Sequence, residues 1–197
     1  MKKHLILAVL ALGLSHALLA DAAPVWKLDA SASTLTASAL KNESVTVAVK
    51  FPALTGTLDP ATGKASVTAD LKSLETGNPA RNTNIETLFF EVAKKAAYGS
   101  ATFSWKGNVS ALTAGTPLDV TLTGELKLHG TKTKIGGPAT VSLLADGSYK
   151  ASFSGWKLDI DALKLSAPLA AMNKICPQPH RVANEVGLKG DLVFKKQ

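Results

Sequence analysis

The side chains able to do chemistry are few in this 197-residue chain, and they are scattered. Cys176 and His180 stand four residues apart in Cys176-Pro177-Gln178-Pro179-His180. A thiolate and an imidazole are soft metal ligands, but two ligands make a weak site and the sequence offers no third. Cys176 is also the single cysteine of the chain, so it forms no internal disulfide and either stays free or pairs between chains. Asp159 and Asp161 lie two apart, on one strand face, where each could equally face solvent. His129 precedes Gly130 at a turn, and its ring is read as packing that turn or bonding to backbone. Arg81 lies in a loop before a helix. It either clasps that loop or, with the helix N-terminus, offers positive potential to an anionic group. There is no Gly-x-Ser-x-Gly elbow, no phosphate loop, no His-Glu-x-x-His and no paired cysteine. The chain therefore reads as a non-enzyme, with no cofactor and no assigned metal site.

The elements that must position these residues are nearly all strands, with one helix among them. Between Ser73 and Gly99, Ile85, Leu88, Phe89, Val92, Ala93 and Ala96 recur at helical spacing and form one stripe. Thr83-x-x-Glu86 fits a capping box at its start, and Gly99 supplies a stop. An amphipathic helix among many strands buries its stripe against a sheet or across a barrel end. Phe90, just off the stripe, is the residue freer to touch a ligand. A second short helix is expected from Ser166-Ala167-Pro168 through Met172. The proline-held connection after it lies across one barrel mouth.

Elsewhere the pattern has period two. Val45, Val47, Val49 and Phe51 alternate with Thr46, Ala48 and Lys50; Ala101, Phe103 and Trp105 alternate with Thr102, Ser104 and Lys106. Leu118 to Leu128, Tyr149 to Phe153 and Val186 to Phe194 alternate likewise. One wet and one buried face means antiparallel strands. Several run to about ten residues, longer than the common strand, and Gly124 and Gly190 interrupt them as at barrel corners. The expected fold is all-β: an antiparallel up-and-down barrel, closed to remove its edges, with one amphipathic helix near one end. A sandwich with the helix packed outside is the alternative. The inward faces carry both aromatics and small residues. Such a barrel is either filled by its own side chains or holds one ligand, and Ala69, Ala101, Gly124, Ala151 and Gly190 favour a cavity.

Residues 1–22 read as a secretory signal peptide. Lys2 and Lys3 precede an apolar run from Leu5 to Leu19, and Ala20-Asp21-Ala22 places the cut before Ala23. Residues 23–197 form one domain of ordinary size. Loss of Lys2, Lys3 and Asp21 lowers the formal charge by one, from +7 to +6. The lysines are spread out, which suits solubility and attraction to anionic membranes or ligands. No basic-aromatic motif for nucleic acid occurs.

Three stretches together resemble the YceI-like family of secreted lipid-binding barrels. They are Trp26-Lys27-Leu28-Asp29; Leu74-x-Thr76-Gly77-Asn78-x-x-Arg81 followed by Phe89-Phe90-x-Val92; and Gly124-x-Leu126-x-Leu128-His129-Gly130-Thr131. Their order and spacing carry the likeness, from Trp26 to Phe194. The chain departs from the family pattern at Thr36, at Asn84 and in the Cys176 to His180 segment. The resemblance implies an eight-stranded lipocalin-like barrel and a periplasmic or secreted protein. It also implies a polyisoprenoid or other prenyl lipid held in the interior without reaction. The expected ligand-binding residues are Val47, Val49, Phe51, Phe103, Trp105, Leu122, Leu126, Phe153, Leu188 and Leu192 on strands, with Arg81, Phe89 and Phe90 near the helix. Transient contact with a membrane surface suits the basic charge, and self-association is left open. The alternative is an exported metal- or redox-linked protein using Cys176 and His180.

Overall fold

The computed structural model describes residues 25–109, 111–175 and 181–197. The expected signal peptide and the Cys176–His180 pair lie outside them. Ten strands follow the alternating stretches: β1 (Trp26–Leu28), β2 (Thr34–Lys41), β3 (Val45–Lys50), β4 (Leu54–Asp59), β5 (Lys64–Asp70), β6 (Ser100–Lys106), β7 (Leu118–Leu128), β8 (Thr131–Leu143), β9 (Tyr149–Asp159) and β10 (Val182–Lys196). Two helices, α1 (Pro79–Asn84) and α2 (Ser166–Ile175), complete the order.

All the pairings between these strands are antiparallel, and they close into an eight-position barrel. The count reaches eight because four strands are halves of two broken staves. β1 and β2 lie end to end along the same edge of the 15-residue β10, Leu28 opposite Phe194 and Thr34 opposite Asp191. Asp29 makes the break between them, its carboxylate accepting from the backbone N–H of Ser31 and Ala32. β3 pairs with β2 and β4 with β1, and Phe51-Pro52-Ala53 separates them. Pro52 has no N–H to give a ladder. The remaining strands run as a meander from β4 through β10. This is the expected up-and-down barrel, not a sandwich.

The two ends differ. At the β1 end the interior is solid: Leu58, Ala65, Val67, Leu192 and Phe194 pack together, with Trp26, Trp105, Tyr149 and Phe153 against them. At the other end β3 departs from β5. Its outer edge touches the segment beyond β5 through a single bridge, Lys50 to Glu75. The 71–99 connection covers that gap.

This connection corrects the expected helix in three ways. Its N-cap is Asn78, whose side chain accepts from the Arg81 N–H at 3.0 Å, with Pro79 in the first turn. Thr83 is inside the helix and turns its hydroxyl back onto the Pro79 carbonyl at 3.1 Å, so no capping box forms. From Ile85 to Phe89 the chain widens into a π-helical turn, with the Phe90 N–H bonded to the Ile85 carbonyl at 2.9 Å. The helix then ends at Glu91, whose φ is +52°. Ala93 and Ala96, placed on the stripe by spacing, are exposed instead. α2 extends one turn beyond the expected Met172, to Ile175.

Candidate functional site

Above the solid end the barrel is hollow. The cavity measures about 400 Å³, within the range of roughly 300–1,000 Å³ usual for small-molecule sites. Its floor is an aromatic group. Phe103 stacks on Trp105 at 5.3 Å between ring centres, Trp156 meets Phe103 edge-on at 5.6 Å, and Phe153 lies 4.4 Å from Trp156. The Trp156 Nε1–H donates to the Pro138 carbonyl at 2.8 Å, so this indole presents only carbon to the hollow.

Strand register explains the walls. Phe103 faces Leu126 across β6 and β7, while the neighbouring Lys127 and Ser104 are exposed. Leu122 and Leu126 follow on one face of β7, and Leu188 and Leu192 on one face of β10. Val47, Val49 and Phe51 reach in from the β3 stave. Phe89 and Phe90 both line the cavity, Phe90 with its ring edge-on to Phe51 at 6.5 Å. The π-helical turn makes this possible, because an extra residue in the turn brings two adjacent side chains onto one side. Arg81 lines the cavity at the mouth. All thirteen residues expected from the sequence therefore border one space.

Other lining residues were not singled out in the sequence. β2 contributes Leu35, Ala37, Ala39 and Lys41, a period-two set blurred in the sequence because Lys41 lies on the inward face while Leu40 is exposed. α2 contributes Leu169, Met172 and Ile175. The connection carrying α2 was expected across one mouth, and the spacing of these three on a helix was the available signal. Among the described residues, polar side chains on the lining are confined to Ser38, Lys41, Asn78, Arg81 and Asn84, apart from the indole nitrogens.

Two of the small inward residues act differently from expectation. Ala69, Ala101 and Ala151 do border the cavity, but Gly124 and Gly190 do not. The Phe103 ring occupies the space over Gly124, and the Phe153 ring that over Gly190. Their missing side chains admit aromatic rings, and the register of β10 against β9 shifts between Leu188 and Gly190.

Three of the candidate chemical groups, His129, Asp159 and Asp161, are absorbed by structure. The His129 Nε2 lies 3.1 Å from the Glu91 carboxylate, and its ring stacks on Tyr98 with centres 3.7 Å apart. An ionised carboxylate only accepts, so that nitrogen carries the proton. The Lys94 ammonium first, and His129 after it, hold the Glu91 carboxyl below its ordinary value. Asp159 accepts from the Asp161 N–H at 2.8 Å, and Asp161 accepts from the Ser166 hydroxyl and from Asn184 Nδ2, the latter at 3.2 Å. Both carboxylates are exposed and serve the turn into α2. Among the described residues no three metal-ligating side chains cluster.

Solved structures share this architecture. A polyisoprenoid-binding domain from Saccharophagus degradans implicated in plant cell wall breakdown superposes with a TM-score of 0.78 at 23% identity, over 87% of this chain and 98% of that one. BcnA of Burkholderia cenocepacia superposes with a TM-score of 0.63 at 21% identity, over 84% and 98% of the two chains. No curated protein matches the chain. The family model of the YceI-like domain matches residues 26–194, from the first residue of β1 into β10, the last strand of the barrel, and the chain belongs to the YceI-like family.

Proposed function

We propose that this protein binds an apolar lipid with a prenyl-type chain inside the barrel and carries it without altering it. The observation that supports this reading is the hollow itself. It is carbon-lined apart from a few polar side chains, and it is bounded by thirteen residues foreseen as ligand contacts. Burial alone supplies the affinity, at about 25 cal/mol per Å² of apolar surface or about 0.8 kcal/mol per CH₂. The polyisoprenoid-binding description of the similar Saccharophagus degradans domain favours a prenyl chain over a compact ligand. Export to the periplasm or beyond follows from the leader sequence. The mature N-terminus is expected at Ala23, and Met1 on the bulk of the cellular protein would overturn this.

Native mass spectrometry of protein purified without added lipid, followed by solvent extraction, tests occupancy. The sharper test is a pair of substitutions. Leu126→Gln places an amide in the cavity and should weaken a fluorescent prenyl analogue by about 1–3 kcal/mol, the cost of burying an unpaired polar group. Lys127→Gln, one residue away on the outer face, should leave affinity unchanged. Stripped wild-type protein that takes up no analogue would end the carrier reading.

A further inference from the structure

Among the described residues, two of the cavity-lining side chains carry charge, Lys41 and Arg81; both are positive, and no carboxylate lines the space. Lys41 ends the inward series Leu35, Ala37, Ala39 on β2, and Arg81 stands on α1. Forty residues separate them in sequence, and the fold brings both to the lining of one cavity, at the end away from the solid one. Each is half-buried. Among the described residues, neither the ammonium nor the guanidinium has a hydrogen-bond or ion-pair partner. Two other half-buried charges of this barrel are answered locally: Glu91 by Lys94 and His129, and Asp29 by Lys195. A cation held partly out of water costs free energy until an anion or acceptor meets it. Two such cations beside an otherwise carbon-lined hollow leave that anion to be supplied by whatever fills it. The side-chain amides of Asn78 and Asn84 border the same cavity and can add donors.

We infer that the ligand is an anionic single-chain amphiphile, its head group met by Lys41 and Arg81 and its chain lying in the hollow. This rests on the lipid-binding reading above and adds the sign of the head group. A phosphate monoester and a carboxylate share the required chemistry, since a guanidinium engages either through two parallel N–H donors.

The test uses purified protein stripped of lipid and displacement of a fluorescent prenyl probe at low salt. The competitors are geranylgeranyl monophosphate against geranylgeraniol, and oleate against oleyl alcohol. At least one anion should outcompete its matched alcohol by about tenfold or more, as expected for charge-assisted hydrogen bonds. Preference within the phosphate pair alone assigns a phosphate ester, within the carboxylate pair alone a fatty acid, and within both the general class. The Lys41→Gln/Arg81→Gln variant should bring the ratio to within about twofold. Lys127→Gln/Lys134→Gln, which removes equal charge from the outer face, should preserve it. Equal competition by anion and alcohol in the wild type overturns the head-group assignment and leaves the carrier reading standing. So does a preference that survives in the Lys41/Arg81 variant. Failure of the probe itself to bind removes the carrier reading instead.

Discussion

At the scale of single residues, the glycines of β7 and β10 matter for what stands over them. A Cβ on Gly124 would lie 2.6 Å from the Phe103 ring and 2.4 Å from the Ser104 carbonyl oxygen. Neither neighbour can yield freely. The carbonyl belongs to the strand ladder, and the ring is stacked on Trp105 and set against Trp156. Gly124→Ala should therefore destabilise the fold by about 1–3 kcal/mol through overpacking. It should also lower prenyl affinity by tilting the cavity floor. Urea unfolding followed by tryptophan fluorescence measures the first effect. An unchanged midpoint would mean that the ring is free to move. The alternation of β7 was legible in the sequence, but the use of its glycine was not. Gly124 faces Trp105 across the ladder and takes its ring from Phe103 two residues further on, a diagonal neighbour that exists only after register is set.

At the scale of elements, the segment joining β5 to β6 governs access to the hollow. Its π-helical turn puts Phe89 and Phe90 on the cavity, and directly afterwards Glu91 turns the chain away with positive φ. Glu91 is tied to the β7–β8 turn through His129, with both side chains largely shielded, whereas its partner Lys94 is about two-thirds exposed. Exposed pairs contribute little. Lys94→Ala should change stability by under about 0.5 kcal/mol. Glu91→Ala removes a charge-assisted bond to a shielded imidazole and should cost about 1.5–3 kcal/mol. Amide exchange should quicken at residues 85–92 in the second variant alone. Equal effects of the two substitutions would show that the His129 contact does not anchor the segment. Helical spacing disclosed a helix here, but its cap, length and phase came out differently. The Thr83 hydroxyl bonds backward along the helix, and the widened turn is held by packing against α2 and the barrel wall, forces that do not act between residues four apart.

At the scale of the molecule, the ionised carboxylates act together. Asp29, Asp59, Glu75, Glu91, Asp146 and Asp191 all lie below their ordinary values. For Asp29 the chief cause is the hydrogen bond from Lys195, for Asp59 that from Thr62, for Glu75 and Asp146 backbone N–H groups, and for Asp191 the Ser152 hydroxyl. A depressed folded-state value stabilises the fold above the unfolded value, near pH 4, and that contribution fades as pH falls through the folded values. Lys195 is raised by Asp29, so its contribution is complete at neutral pH and is lost only as pH climbs beyond the ordinary lysine value. The melting temperature should thus be level from about pH 5 to pH 9 and fall steadily below about pH 4. A melting temperature as high at pH 2 as at pH 7 would contradict this. Most of these carboxylates sit at strand ends and turns, so acid should loosen the staves at their breaks before the hollow collapses.

The barrel itself was determined by the sequence alone. Period-two burial is a local property: each strand writes its inward face into alternate positions whatever its neighbours are, so Leu126 and Lys127, or Phe103 and Ser104, are sorted before any contact forms. The inward set of β3, β6, β7 and β10 was readable for that reason, and with it the lining. Whether that lining encloses space was decided by the tertiary structure. Phe194 and Leu58, from the two strands that flank β1, pack into one cluster and fill one end, while β3 parts from β5 and leaves the other to be covered by a helical segment and α2. The presence of Lys41 and Arg81 on the lining of one cavity is of the same kind. A charge forty residues from another has no period or spacing to announce it, and only closure of the staves gives the two a common target.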